Sequence, residues 1–209
     1  FDYSSSVVRK LAYAGNRTPV AVAAADKYYG SGPLTVQFNS SGSSDPDGQA
    51  ITYSWNFGDG TAASTQANPG HTFSAATGVP TGYTVTLTVT DSGGLSAQTT
   101  LRVAVNDTPP AVTITSPTNG TLYAPNLGTN VNLTATVTDL ESSDAQLTYR
   151  WQTLLQHNEH NHGSPPDSNH VTTTVISPTA CDGINVYYYR IILTVTDPQG
   201  LATVHEVQL

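Results

Sequence analysis

Residues 44–60 read SDPDGQAITYSWNFGDG. The run opens on an acidic turn, Asp45-Pro46-Asp47-Gly48. After it Ile51, Tyr53, Trp55 and Phe57 fall on one side of an extended chain, and Thr52, Ser54 and Asn56 fall on the other. A period of two with one apolar parity is the pattern of a strand with one buried face. Phe57-Gly58-Asp59-Gly60 ends the strand, because its glycines tolerate positive φ and Asp59 can bond to its own backbone. A looser copy runs from Asp139 to Trp151. Two such centres point to two domains.

Working outward, further elements recur in the same order. NRTPVAV at 16–22 matches NDTPPAV at 106–112, each an Asn, then Thr-Pro, then a short apolar strand. Proline is tolerated at a strand start, where its missing N–H is not needed, and Pro109-Pro110 stiffens the link. YTVTLTVTDSGGL at 83–95 matches YRIILTVTDPQGL at 189–201. In the first of these Tyr83, Val85, Leu87 and Val89 share the inner face, with threonines on the wet side. Tyr189, Ile191, Leu193 and Val195 repeat it. Leu34, Val36 and Phe38 supply an inner face in the first domain, as Val131, Leu133, Ala135 and Val137 do in the second. Residues 95–105 and 201–209 close the two sheets. No segment has a helical period of useful length. The expected fold is all-β: two tandem immunoglobulin-like antiparallel β-sandwiches, at 16–105 and 106–209, after a tail at 1–15.

Composition excludes several functions. The 209 residues carry a net charge of −8, with seven Lys and Arg in all. That is too few and too scattered for a nucleic-acid surface. No apolar run is long enough to insert in a membrane. Cys181 is the single cysteine, so no internal disulfide forms. Charged residues are only 11% of the chain, a surface of Ser, Thr, Asn and Gly that fits a secreted or cell-surface location. Rigidity there would come from another source, and bound calcium is one. Asn-x-Ser/Thr sequons stand at Asn16, Asn39, Asn106, Asn119 and Asn132. No nucleophile–base pairing or cofactor fingerprint appears, so no catalytic residue is assigned.

Together, the NxxP opening at Asn16–Pro19, the turn at 42–48, Tyr53-x-Trp55-x-Phe57-Gly58-Asp59-Gly60, Pro69-x-His71-x-Phe73 and the strand at 83–91 resemble the PKD repeat. The second domain keeps the opening, the Tyr-x-Trp and the last two strands but lacks FGDG, and is PKD-like. The resemblance implies a secreted, non-catalytic module attached to carbohydrate- or protein-degrading enzymes or to adhesins. The run FDYSSSVVRKLAYAG at 1–15, with GNRTPVA after it, resembles the closing strand of the β-propeller in secreted sugar dehydrogenases of the glucose/sorbosone type. That implies a sugar dehydrogenase as the parent enzyme.

Three sets of residues are expected to bind ligands. The first is calcium, at Asn16, Asp45, Asp47 and Asp91 and, in the second domain, at Asn106, Asp139, Glu141, Asp144 and Asp197. Calcium takes several carboxylate and carbonyl oxygens, though aspartates also shape turns without metal. The PKD resemblance adds the opening Asn and the acidic turn to this reading. The second is zinc or copper at an insertion of about ten positions after Trp151, which holds four of the six histidines. Its ligands would be His157, Glu159, His160, His162 and His170, with His170 on a return strand opposite the others. A hydrogen-bonded structural loop is the competing reading. The third is carbohydrate on Tyr28, Tyr29 and Tyr188, left over once Tyr53, Trp55, Tyr83, Tyr149, Trp151 and Tyr189 are placed in the cores by parity. The expected role is an accessory module that binds polysaccharide or presents a carbohydrate-active domain. The alternatives are a structural or adhesive spacer that binds a cell-surface protein, or a metal-binding domain built on the histidines.

Overall fold

The computed structural model describes residues 15–123, 128–157, 160–176 and 187–209. The tail at 1–14, Glu159 and Cys181 lie outside the described residues. Four antiparallel-dominated sheets form two β-sandwiches. In the first, β1 (Ala24–Ala25), β3 (Leu34–Asn39) and β5 (Gly70–Phe73) make one sheet in the order β1-β3-β5. The facing sheet has the order β2-β7-β6-β4, from β2 (Tyr29–Gly30), β4 (Ile51–Asn56), β6 (Thr81–Asp91) and β7 (Ser96–Val105). In the second, β8 (Ala111–Ser116), β9 (Thr129–Thr138) and β12 (Thr172–Ile176) are ordered β12-β9-β8. Their partner sheet is β11-β10-β13-β14, from β10 (Thr148–His157), β11 (His160–Gly163), β13 (Tyr187–Thr196) and β14 (Ala202–Gln208). One 3-10 turn, Asp144–Gln146, is the only helical element among the described residues, and none is long and apolar enough to cross a membrane. By contact density, residues up to 26, 37–71 and 84–101 form one compact unit, and 27–36, 72–83 and 102–209 form another.

The duplicated motifs occupy duplicated places. Trp55 stands opposite Leu87 across β4–β6, and Trp151 opposite Leu193 across β10–β13. Each indole is buried, at 0% and 1% exposure. Each Trp backbone also forms an isolated bridge on its other side, Trp55 with Ser64 and Trp151 with Asp167. Each indole N–H donates to a loop carbonyl at 3.3 Å, that of Ala67 for Trp55 and that of His170 for Trp151. The period-two faces are as read: Leu34, Val36, Phe38, Val85, Leu87 and Val89 are buried, as are Val131, Leu133, Ile191, Leu193 and Val195.

The same parity extends one step further, to a polar residue. Asp91 continues the buried face of Val85, Leu87 and Val89, and Asp197 continues that of Ile191, Leu193 and Val195; both aspartates are 5% exposed. An ionised carboxylate at the end of a core face needs hydrogen bonds or a cation. How each sandwich meets that need defines its acidic end.

The FGDG turn closes β4. Phe57 is buried and stacks on His71 with ring centroids 3.8 Å apart. His71 Nε2 lies 2.7 Å from Asp59 Oδ2. Burial raises the Asp59 carboxyl, but bonds from Thr61 and His71 outweigh it and hold it below the usual range. Gly58 has φ +76°, and a Cβ there would meet the Thr84 carbonyl oxygen at 2.3 Å, so only glycine fits.

Candidate cation centre

In the first sandwich the acidic end is closed by its own side chains. Asp91 Oδ1 accepts the Leu95 N–H at 2.9 Å, and Oδ2 accepts from Asn16 Nδ2 at 3.0 Å. Asn16 Oδ1 takes the Gln49 amide, and Gln49 Oε1 takes the Ser92 hydroxyl at 2.6 Å. Asp45 Oδ1 accepts the N–H groups of Asp47 and Gln49 at 2.8 and 3.1 Å, which makes the acidic turn. Arg17 then covers Asp47. Its backbone N–H donates to Oδ2 at 2.7 Å, its Nε to Oδ1 at 2.6 Å, and its Nη2 to the Pro46 carbonyl. These bonds, the backbone one first, hold the Asp47 carboxyl below its ordinary value. Asn16, Asp45, Asp47 and Asp91 are thus brought to one end of the sandwich and bonded chiefly to one another and to Arg17.

The second sandwich has the same frame with different occupants. Asp197 Oδ1 accepts the Leu201 N–H at 2.9 Å, as Asp91 does from Leu95. Asp139 Oδ1 accepts the N–H groups of Glu141 and Ser142 at 3.0 and 2.6 Å, as Asp45 does in its own turn. Asn106, expected as a ligand beside them, is placed elsewhere. It has φ 57° and turns to residues of the first repeat: Oδ1 accepts the Gly32 N–H at 2.9 Å, and Nδ2 donates to the Ala76 carbonyl at 3.0 Å. The reason is steric. A Cβ on Gly93 would lie 2.3 Å from Asn16 Nδ2, so the first arrangement requires a glycine there. The matching residue in the second repeat is Gln199.

The next residue differs more sharply between the repeats. Asp107 matches Arg17 in sequence and is 2% exposed, and neither of its carboxylate oxygens has a hydrogen-bond partner. Asp139 Oδ2 and Asp197 Oδ2 are also buried and unpartnered. Burial first, and then the charges of Asp197, Glu141 and Asp139, push the Asp107 carboxyl up from its usual 3.8 to about 6. The Thr108 amide, which makes no formed bond to it, opposes them weakly. Burial is also the main cause raising Asp197. Glu141 is half-buried and accepts the Thr108 hydroxyl at 2.8 Å. Sequence reasoning missed Asp107; the signal was the Arg17/Asp107 exchange beside two otherwise matching asparagines.

Asp144 does not join this group. Its Oδ1 accepts the Tyr149 hydroxyl, and its Oδ2 lies 3.2 Å from His170 Nδ1. His170 stacks on Tyr149 with centroids 4.5 Å apart. Burial and then the Asp144 contact hold the Tyr149 hydroxyl above its usual range.

His170 is set apart from the other histidines chosen from the sequence. β10 and β11 pair antiparallel, with His157 opposite His160 and Leu155 opposite His162. The strand after His170 pairs with β9 in the other sheet, not with β10. His170 sits beside Trp151, six positions back along β10 from His157; at roughly 3.3 Å per residue that is about 20 Å. The tyrosines are also dispersed in the fold. Tyr28 and Tyr29 are exposed at the short β2 of the first sandwich, and Tyr188 is half-buried on β13 opposite Gln156.

The fold and its acidic ends define a class, paired immunoglobulin-like β-sandwiches with carboxylates gathered at strand-end turns. A family model described as PKD domain matches residues 16–105, and a second β-sandwich follows that stretch. Collagenase ColA of Bacillus cereus is 45% identical over 74 residues, which are 35% of this chain and 7% of that protein. A microbial collagenase of Vibrio alginolyticus is 41% identical over 81 residues, 36% of this chain and 9% of that protein. The chain therefore spans less than a tenth of these curated relatives, which are collagenases and not the sugar dehydrogenases to which residues 1–15 pointed. The solved PKD1 domain of the Vibrio cholerae metalloprotease PrtV is 33% identical, over 43% of this chain and 99% of that one, with a TM-score of 0.36.

Proposed function

We propose that these sandwiches are a non-catalytic accessory part of a larger secreted or cell-surface enzyme that acts on an extracellular polymer, and that the second sandwich holds calcium through Asp107, Asp139, Glu141 and Asp197. One observation carries the reading: a buried, unpartnered Asp107 carboxylate beside three other acids, none of the four paired with a basic side chain among the described residues. Ionised, such a group is costly to bury alone. Calcium repays that cost with hard oxygen coordination and tolerates irregular geometry. Among the described residues no three His, Cys, Asp or Glu side chains already stand in ligand geometry. Like charges left to themselves keep their oxygens apart, so binding requires small side-chain rotations toward the shared space. The unpartnered oxygens of Asp107, Asp139 and Asp197 are free to make them.

A ligand that binds only the folded state stabilises it by mass action, by about 2.7 kcal/mol at a hundredfold excess over Kd. Calcium is expected to raise the melting temperature of the full chain above its value in chelator. Magnesium should do so far less, because it demands a tighter octahedron. Equal melting curves in calcium and in chelator would remove the reading.

The target of the module is a polymer surface, polysaccharide first and protein second. The collagenase relatives favour a protease as the parent, and exposed Tyr28 and Tyr29 are the stacking residues available for sugar. A second cation reading rests on the hairpin register, which sets His157 opposite His160, a placement that suits zinc or copper. Titration calorimetry with either ion is expected to show binding at about pH 7.5 and its loss at about pH 5.5, where imidazoles are protonated. Binding that survives His160→Ala would discard the hairpin site.

A further inference from the structure

The two acidic ends are built on one frame yet differ in charge. The first holds three acids, Asp45, Asp47 and Asp91, and Arg17 pairs with one of them, Asp47. Asp107, Asp139, Glu141 and Asp197 stand together in the second, four negative charges with no basic partner among the described residues. The exchange falls on one matched position, Arg17 for Asp107, within NRTP and NDTP.

We infer that Arg17 is a built-in cation: its guanidinium does in the first sandwich what a bound divalent ion does in the second, and so makes the first sandwich independent of metal. This rests on the calcium reading of the second sandwich. The guanidinium suits the role because it is permanently charged and holds a planar fork of donors. Here Nε engages Asp47 while Nη2 reaches the Pro46 carbonyl of the same acidic turn. A carboxylate and a turn carbonyl are also the two kinds of oxygen calcium would take. The backbone N–H of Arg17 fixes the second Asp47 oxygen, so both oxygens of that acid are occupied without an ion. Asp45 keeps one buried, unpartnered oxygen, as Asp139 does in the other repeat. The frame of an ion site thus survives beneath the arginine.

Removing the arginine and restoring the acid should therefore create a site. The test is calorimetric titration of calcium chloride into the full chain, with thermal melting in calcium and in chelator. Four proteins are compared: unmodified, Asp107→Asn, Arg17→Asp, and the double variant. The unmodified chain is expected to bind one equivalent, Asp107→Asn none, Arg17→Asp two, and the double variant one. The double variant isolates the first sandwich. If it binds no calcium while the unmodified chain binds one equivalent, the inference fails and the calcium reading stands. If the unmodified chain binds no calcium at all, the calcium reading fails and the inference fails with it. Should Arg17→Asp fold only when calcium is added, that rescue supports the inference. If it folds at no calcium concentration, Arg17→Gln decides: a melting temperature raised by calcium in Asp107→Asn/Arg17→Gln supports the inference, and one indifferent to calcium overturns it.

Discussion

Asp107→Asn is expected to stabilise the protein in chelator near pH 7.5 and to weaken it relative to the unmodified chain once calcium is saturating. The two signs follow from one group. Asp107 is raised from an ordinary 3.8 to about 6 in the folded chain. Below about pH 4 both folded and unfolded chains hold the proton, and the group has no effect. Between about pH 4 and about pH 6 the folded chain retains a proton that the unfolded chain has lost. Stability therefore falls as pH rises through that window, and the full deficit persists above it. About two pKa units correspond to on the order of 3 kcal/mol. The amide of the variant has unmet hydrogen bonds of its own, which offset part of this, so a net gain of about 1–2 kcal/mol is expected. Denaturant unfolding in chelator should show the advantage at about pH 7.5 and its disappearance near pH 4. With calcium present the unmodified chain gains a ligand that the variant has lost, and the order reverses. A variant that is weaker in chelator at both pH values would mean that Asp107 is a structural acid with a partner still to be found.

The largest expected losses come from the two indoles. Trp55 and Trp151 are fully buried, and each also satisfies a loop carbonyl with its N–H. Truncating a buried aromatic to alanine costs about 3–5 kcal/mol through lost transfer energy and the cavity left behind. Trp151→Ala also strips the His170 carbonyl of its donor, next to the Tyr149–His170 stack and the Asp144 contact. With two tryptophans in the chain, each variant leaves a single indole as a fluorescent reporter of the other sandwich. Circular dichroism in denaturant measures the loss, and a change under about 1 kcal/mol for either variant would contradict its place in a core.

The core was legible because burial in a sandwich writes itself in parity. The alternation at 51–57, 83–89 and 189–195 named the inner face, buried at its centre and half-buried at Ile51, Tyr53, Tyr83 and Tyr189, and the Trp-to-Leu pairings across β4–β6 and β10–β13 repeat in register. Parity also carried Asp91 and Asp197 onto those faces, which marked the acidic ends. What it could not carry was side-chain direction in the irregular segment before a strand. Asn16 and Asn106 match in sequence, yet one turns to Asp91 and the other to Gly32 and Ala76. The cause lies far along the chain, in Gly93 against Gln199. The placing of His170 on a strand opposite the other histidines missed for a related reason. A strand's period does not say which of two sheets it will join, and β12 joins β9 rather than β10.

One consequence concerns proteolysis. The stretch 103–110 joins the two sandwiches, and its sequence, Asn-Asp-Thr-Pro-Pro after the last strand, has the composition of a cleavable linker. Yet every residue from 103 to 110 is buried or half-buried. Asn106 is fastened to the loops at 30–32 and 76–79, and Thr108 to Glu141. A protease cuts where it can lift an exposed segment into its own cleft, and this joint offers none. For a module proposed to work in the company of secreted proteases, nicking is directed to other loops.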